Sequence, residues 1–140
     1  MLPAGKYYVG DLCYVLDDDE WDEVCSLIIQ GNKVIDGEFV LKDGREFAIY
    51  STAYGDGEYN DYYGNSYSVD SGSIGCIKIE DIKDVKDKID IELLGAIVDF
   101  KIDFVTGGGR GTKGWDGIIQ FGSIAIETDP EYNEDSDEEY

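Results

Sequence analysis

The sequence predicts one α+β domain, mainly β, in which an antiparallel sheet, an open barrel or a sandwich carries one N-terminal amphipathic helix. Three observations support this fold class. The chain of 140 residues has the length of one ordinary domain. Its hydrophobic fraction of 42%, with 11 Tyr, 5 Phe and 2 Trp, suffices for a core and argues against disorder. Most apolar residues alternate or form short blocks, whereas a single stretch has helical spacing.

The predicted helix follows residues 17–19, three aspartates that are suitable N-caps. Its apolar stripe, at spacing i, i+3, i+4 and i+7, comprises Trp21, Val24, Cys25 and Ile28. Acidic residues in the first turn interact favourably with the helix dipole. Gly31 is the predicted C-terminal stop, because glycine readily adopts the left-handed conformation that ends helices.

A β-hairpin is predicted over residues 38–51. Residues 38–42 and 45–51 have strand composition, and Asp43-Gly44 between them is typical of a two-residue type I′ turn. Shorter strands are predicted at residues 6–9, 14–16, 67–69 and 74–79, and a helical turn at residues 82–89.

The C-terminal half predicts a further antiparallel pair. Over residues 98–104, Val98, Phe100, Ile102 and Phe104 alternate with charged residues, so one face is expected to be buried. Residues 118–121 and 124–126 form its expected partner run. The alternation slips at Gly122-Ser123, where we expect a β-bulge.

Residues 52–72 form the most unusual segment, TAYGDGEYNDYYGNSYSVDSG, which reads as a long loop between strands. Such a loop either packs its tyrosines on the sheet below, recognises a partner, or binds a small ligand or metal. Tyrosine in a Gly/Ser/Asn-rich loop is typical of recognition surfaces. The candidate binding residues are Tyr54, Asp56, Glu58, Tyr59, Asp61, Tyr62, Tyr63 and Asp70.

A metal site in this loop is a second interpretation. Asp56, Glu58, Asn60 and Asp61 place oxygen ligands near alternate positions, as calcium loops do. An EF-hand would also need glycine at position 6 and glutamate at position 12, but Asp61 and Tyr67 stand there. A looser Ca²⁺ or Mg²⁺ site is left open, and no other cofactor is expected.

Two further motifs resemble known sites but lack features that those sites require. Asp70-Ser71-Gly72 resembles an aspartic-protease element, and Leu93-Leu94-Gly95 resembles its later element. The 25 residues from Asp70 to Gly95 leave too little room for a flap hairpin, so a turn following a strand explains the motif better. Residues 107–114, GGGRGTKG, lack the Gly-Lys-Ser/Thr order of a phosphate-binding loop and predict a hairpin tip.

The charge is strongly negative, and it excludes several functions. The formal net charge is −21, and eight carboxylates without a basic residue lie in residues 127–140. We therefore expect a globular domain over residues 1–128 and a solvated acidic tail over residues 129–140. Direct nucleic-acid binding is disfavoured by this charge, as is adhesion to anionic membranes. The absence of histidine excludes catalysis that depends on it.

The apolar runs and the cysteines of the sequence predict the compartment of the protein and the redox state of its thiols. No apolar run has the length of a membrane span, and the N-terminus lacks the apolar block of a signal peptide. Cys13, Cys25 and Cys76 form no CxxC pair and predict buried free thiols in a reducing compartment. The expected location is cytoplasmic, meaning the host cytoplasm or the virion if the protein is viral.

Five segments carry a family resemblance. They are AGKYYVGDLCYVL, the WDEVC that follows it at residues 21–25, TAYGDGEY, YSVDSGSIGCI and IIQFGSIAIET, in that order. With this order and spacing the chain resembles a family of small uncharacterised proteins found in bacteria, bacteriophages and large DNA viruses. The resemblance spans most of residues 4–128 and brings no activity with it. It implies a candidate surface at residues 54–57 and 70–72.

The sequence thus favours a non-enzymatic acidic interaction protein that binds a basic protein partner. A viral or phage origin and a cellular origin are both left open. A nucleic-acid mimic, an inhibitor of a nucleic-acid enzyme, an immunity-type protein and a virion component all fit this description. The alternative is a divalent-metal-dependent enzyme or small-ligand binder that uses the carboxylates of residues 52–72.

Overall fold

The computed structural model describes residues 1–53, 55–83, 94–108 and 117–128. It confirms the predicted fold class, since the chain is mainly β with antiparallel pairing and one α-helix within these residues. The helix, α1, spans Asp18–Ile28, and short 3₁₀ turns span Leu12–Tyr14 and Ile79–Asp81. The strands are β1 Gly5–Gly10, β2 Ile29–Gln30, β3 Lys33–Val34, β4 Gly37–Val40, β5 Glu46–Ser51, β6 Gly57–Asp61, β7 Ser66–Val69, β8 Ser73–Lys78, β9 Ala96–Phe100, β10 Thr106–Gly108, β11 Ile118–Phe121 and β12 Ile124–Glu127.

These strands form two five-stranded sheets and one small hairpin. The first sheet has the order β4-β5-β8-β1-β9, and the second has the order β10-β11-β12-β6-β7. The hairpin of β2 and β3 stands apart. Side chains from the facing sides of the two sheets share one core, so the sheets pack as a sandwich.

The central strands of the first sheet, β5, β8 and β1, are buried on both faces. Along β1, Tyr7 and Val9 belong to the core between the sheets, whereas Tyr8 belongs to a second core beneath α1. β5 alternates in the same way, with Ala48 facing the second sheet and Phe47 facing the helix. This double burial explains why these strands are nearly continuous apolar runs rather than alternating ones.

Helix α1 begins as predicted and ends three residues earlier than Gly31. Asp17 and Glu20 form a capping box: the Glu20 N–H donates to Asp17 at 2.7 Å, and the Asp17 N–H donates to Glu20 at 2.9 Å. Val24 and Ile28 are buried, and Trp21 and Cys25 are half-buried.

The Gly31 prediction is wrong because another structure follows the helix at once. Ile29 pairs with Val34 and Gln30 pairs with Lys33, so β2 starts where α1 stops. Gly31, with φ +64°, lies in the turn between β2 and β3 rather than at the helix terminus.

The predicted β4–β5 hairpin is confirmed, but its turn is longer than a two-residue type I′ turn. The Leu41 N–H donates to the Arg45 carbonyl at 2.8 Å, and the Gly44 N–H donates to the Leu41 carbonyl at 2.9 Å. Three residues therefore lie between the last paired positions. Gly44, with φ +97°, supplies the left-handed residue that such three-residue hairpins use.

The strand predicted over residues 98–104 ends at Phe100. Phe100 pairs with Gly5, the first residue of β1, so no partner strand continues beyond it. Ile102, which was expected in the core, is 76% exposed. The chain then turns back, and Phe104 forms a single bridge with Leu2 and stacks on Phe100 with ring centroids 3.8 Å apart.

The predicted bulge at Gly122-Ser123 is also wrong. Phe121 pairs with Ile124, so Gly122 and Ser123 form a tight turn between the antiparallel strands β11 and β12. Directly paired residues lie on the same face of a sheet. Phe121 and Ile124 therefore both point inward although they are three residues apart, and this is why the alternation of buried residues slips by one position. Both Phe121 and Ile124 are buried.

The remaining strand predictions have mixed outcomes. Residues 6–9, 67–69 and 74–78 are strands as expected. Residues 14–16 are not a strand, because the preceding 3₁₀ turn starts at Leu12 and Val15 closes it. Most of the helical turn predicted at 82–89, most of the glycine-rich segment 107–114 and the acidic segment 129–140 lie outside the described residues. Among the residues described, no helix combines the length and apolarity needed to cross a membrane.

Candidate functional site

Residues 52–72 contain a β-hairpin rather than the long loop that the sequence predicted. Strands β6 and β7 pair from Gly57–Val69 to Asn60–Ser66, and β6 also pairs with β12. The hairpin forms because its apolar and aromatic side chains alternate: Tyr59, Tyr67 and Val69 point into the core. It forms one edge of the second sheet.

Two of its tyrosines build the fold. Tyr59 is 7% exposed, and its hydroxyl donates to the Gly55 carbonyl at 2.8 Å. Tyr67 is fully buried, and its hydroxyl donates to the Asp61 carboxylate at 2.6 Å. Tyr59, a predicted binding residue, therefore offers no side-chain surface to a partner in this conformation. Tyr54 lies outside the described residues.

Asp61, another predicted binding residue, holds the turn of the hairpin. One oxygen accepts from the Tyr63 N–H at 2.8 Å and the Asn65 N–H at 2.9 Å. The other accepts from the Asn65 amide at 2.9 Å and from the Tyr67 hydroxyl. Burial by itself would raise the pKa of Asp61, but these hydrogen bonds outweigh it and lower the pKa below its ordinary value.

The tip of the hairpin exposes two adjacent aromatic side chains. Tyr62 is 61% exposed and Tyr63 is 67% exposed. The Tyr62 hydroxyl donates to the Glu127 carboxylate of β12 at 3.2 Å. Glu127 lies opposite Asn60 in the sheet register, so both occupy the outer face of the second sheet. Glu58 is exposed on this face as well.

The other two predicted carboxylates, Asp56 and Asp70, lie at the opposite end of the hairpin. Both are exposed, and they flank the Gly57–Val69 pair that closes the two strands. The structure thus separates the predicted site into two groups. Tyr62 and Tyr63 lie at the tip and the two aspartates lie at the base, and the length of β6 separates the two groups.

A third carboxylate, Asp11, organises the base and was missed by sequence reasoning. Asp11 is fully buried at the end of β1. One of its oxygens accepts from the N–H groups of Asp70 and Ser71, each at 2.7 Å. The other accepts from the Ser71 hydroxyl at 2.7 Å and the Cys13 N–H at 3.0 Å. An acidic residue directly after a buried strand was the available signal.

Further hydrogen bonds join the base to two more segments. The Thr52 N–H donates to the Gly72 carbonyl at 3.0 Å, and the Thr52 hydroxyl donates to the Gly55 carbonyl at 2.7 Å. The Ala53 N–H donates to the Thr128 hydroxyl at 3.1 Å. The base therefore joins four segments that are distant in the sequence, namely residues 4–16, 52–59, 67–77 and 118–128.

The polar groups at the base are poorly suited to nucleophilic catalysis. Burial, a hydrogen bond to Asp11 and the charges of Asp70 and Asp56 raise the pKa of the Cys13 thiol far above its ordinary value. The thiol is then protonated at neutral pH, which is its unreactive form. Burial and a hydrogen bond to Asp70 likewise raise the pKa of Tyr14. All three cysteines are free, but only Cys76 is buried, whereas Cys13 and Cys25 are half-buried.

The predicted metal ligands do not converge. The Asp61 carboxylate faces inward and is occupied by four protein donors, whereas Glu58 and Asn60 lie on the opposite face of β6. Within the part of the chain that the structure describes, no group of three or more Cys, Asp and Glu side chains is arranged to hold a metal ion.

The hairpin belongs to a sheet whose described strands contain no basic residues. Between Arg45 and Lys78 the chain contains no lysine or arginine, and strands β11 and β12 contain none either. The described ion pairs lie elsewhere, for example Lys101 with Asp99 at 2.7 Å and Arg45 with Glu20 and Asp43. The outer face of the second sheet therefore presents carboxylates without compensating charge from its own strands.

Comparisons with protein-family models, with curated proteins and with solved structures found no match for this chain.

Proposed function

We propose that this is a non-enzymatic acidic interaction protein that binds a basic protein partner through the tip and outer face of the β6–β7 hairpin. One observation carries the proposal. Tyr62 and Tyr63 are 61% and 67% exposed on a turn that the buried Asp61 fixes with four hydrogen bonds.

A fixed turn favours binding because it lowers the entropy lost on association. Tyrosine provides a large contact area with few rotatable bonds, so exposed tyrosines are effective anchors at interfaces. The Asp61 hydrogen bonds hold the backbone of Tyr63 and Asn65 before any partner arrives. Folding has therefore already ordered most of the backbone at this contact, so little conformational entropy is lost when a partner binds.

The charge favours a basic partner over nucleic acid or an anionic membrane. A net charge of −21 accelerates encounter with a basic surface and repels phosphates. The proposal includes four kinds of acidic interaction protein: a nucleic-acid mimic, an inhibitor of a nucleic-acid enzyme, an immunity-type protein and a virion component. Viral or phage origin, and residence in the host cytoplasm or the virion, belong to the same proposal.

The test compares tip variants with a matched charge control. Basic proteins are captured from native-host extract, purified, and measured against wild type by surface plasmon resonance at two salt concentrations. Tyr62→Ser with Tyr63→Ser removes contact area and should mainly raise the dissociation rate. Glu58→Gln with Glu127→Gln should mainly lower the association rate and its salt dependence.

Asp18→Asn with Asp22→Asn removes the same number of charges from exposed positions on α1 and is the control. It should lower the association rate less than the hairpin pair does. If the tip variant and the hairpin charge variant both bind the partner like wild type while remaining folded, the hairpin is not the binding surface and the proposal fails.

A further inference from the structure

The tip of the hairpin brings an aromatic ring and a carboxylate together on an exposed surface. The Tyr62 hydroxyl lies 3.2 Å from Oε2 of Glu127, and Tyr62 is 61% exposed. Asn60 lies opposite Glu127 in the register of β6 and β12, which adds a side-chain amide on the same face. Asn60 and Glu127 come from the paired strands β6 and β12, and Tyr62 comes from the turn that follows β6.

This combination suits one kind of cation better than another. The guanidinium of arginine is planar, so it stacks on an aromatic face while its N–H groups donate to a neighbouring carboxylate. The ammonium of lysine is a compact and strongly hydrated point charge that gains less from the ring. An aromatic face next to a carboxylate therefore discriminates between two residues of equal charge.

We propose that Tyr62 and Glu127 form an arginine-selective contact, so that the basic partner is recognised through an arginine-bearing segment. This inference rests on the proposed function and adds the partner's chemistry to it. Charge complementarity supports it, since the described strands of the second sheet contain no lysine or arginine that would satisfy Glu127 from within the sheet.

Three labelled peptides of equal length and charge provide the test. The first is a 12-residue peptide in which six arginines alternate with serine. The second carries lysine at the same six positions, and the third carries asymmetrically dimethylated arginine, which keeps its charge but has fewer N–H donors. Binding to the full chain is measured by fluorescence polarisation at low and at moderate salt.

Wild type should bind the arginine peptide about two- to fivefold more tightly than the lysine peptide, the range expected of an exposed cation–π contact. Methylation should remove part of this preference. Tyr62→Leu should abolish the preference, whereas Tyr62→Phe, which keeps the ring, should retain most of it. Glu127→Gln should reduce the preference, whereas Asp22→Asn, an equal loss of charge on α1, should leave it unchanged.

Equal affinity of wild type for the arginine and lysine peptides would overturn the inference and leave the acidic interaction surface standing. A preference that persists in Tyr62→Leu would overturn it too, because the discriminating contact would then lie elsewhere. If neither peptide binds even at low salt, the proposed function fails together with the inference. Circular dichroism of each variant confirms that it is folded before binding is measured.

Discussion

The carboxylate of Asp11 accepts hydrogen bonds from both the N–H and the hydroxyl of Ser71, each at 2.7 Å, across 60 residues of chain. Asp11 follows β1 of the first sheet, and Ser71 lies in the connection from β7 of the second sheet to β8 of the first. One buried carboxylate therefore fixes this connection between the two sheets to the end of β1, at the base of the hairpin. Charged hydrogen bonds of this kind contribute more than neutral ones, and leaving their donors unpaired is costly.

Replacing Asp11 by asparagine should destabilise the protein by about 2–4 kcal/mol. Asparagine keeps one carbonyl oxygen, but its amide group would face N–H or O–H donors that need an acceptor. Urea denaturation gives the free energy of unfolding. Asp56→Asn is the control, because Asp56 is exposed near the same base, and it should cost less than about 0.5 kcal/mol. Equal costs for the two variants would contradict the role assigned to Asp11.

Asp61→Asn should make stability less dependent on pH in the acid range. The pKa of Asp61 is lowered by folding, so between its folded and unfolded values the unfolded chain binds a proton that the folded chain does not. Its contribution to stability is therefore present above about pH 4 and is lost as the pH falls through the lower, folded value. The amide of the asparagine variant does not titrate in this range, so that variant lacks the contribution.

The measurement is the free energy of unfolding in urea at a series of pH values from about 6 to 2. Tyr67→Phe removes one of the hydrogen bonds that lower this pKa and should give an intermediate slope. Carboxyl NMR titration of the wild type reports the Asp61 pKa directly. A midpoint at or above the ordinary aspartate value would contradict the prediction.

Glu20→Gln should cost about 1–3 kcal/mol, because it leaves a largely buried Arg45 with one carboxylate fewer. The side chains of Glu20 and Arg45 are 10% and 11% exposed, and Arg45 also pairs with Asp43, whose pKa its hydrogen bonds lower to about 2. Glutamine can still accept the Asp17 N–H, so the capping box survives. Thermal or urea unfolding measures the loss. Asp19→Asn, an exposed change in the same helical turn, should cost clearly less.

Ile28→Ala should cost about 2–5 kcal/mol through lost burial and the resulting cavity. Ile28 is 7% exposed in the core beneath α1, whereas its neighbour Ile29 is 52% exposed. Ile29→Ala is therefore a matched control that should cost much less. Free energies of unfolding in urea that differ by less than about half a kcal/mol between the two variants would show that the helix face is assigned wrongly.

Removing residues 129–140 should leave the melting temperature within a few degrees of the full chain. The boundary is set after Thr128, which is buried and bonded to the Gly117 carbonyl and the Ala53 N–H. The deletion removes seven carboxylates, so binding of a basic partner should weaken, most strongly at low salt. A large fall in the melting temperature would mean that the tail packs on the domain.

Much of the fold could be predicted because its signals are local. The stripe of Val24 and Ile28 is a helical period, and the Asp17 capping box lies within four residues of chain. The β-hairpin at Asp43-Gly44 was recognisable from its turn residues, although the length of the turn was not. The prediction that Tyr62 and Tyr63 belong to an exposed segment depended on composition, and both side chains are exposed.

The sequence by itself determined the helix, most of the strands and the acidic charge, since each depends on neighbouring residues or on composition. Only the tertiary structure decided where strands end and which polar groups form hydrogen bonds within the fold. Ile102 continues the alternation yet is exposed, because β1 starts at Gly5 and leaves no partner beyond Phe100. Asp11 looks like any other aspartate until the fold brings the Ser71 donors to it. Burial and hydrogen bonding depend on contacts between distant residues, and no local period encodes them.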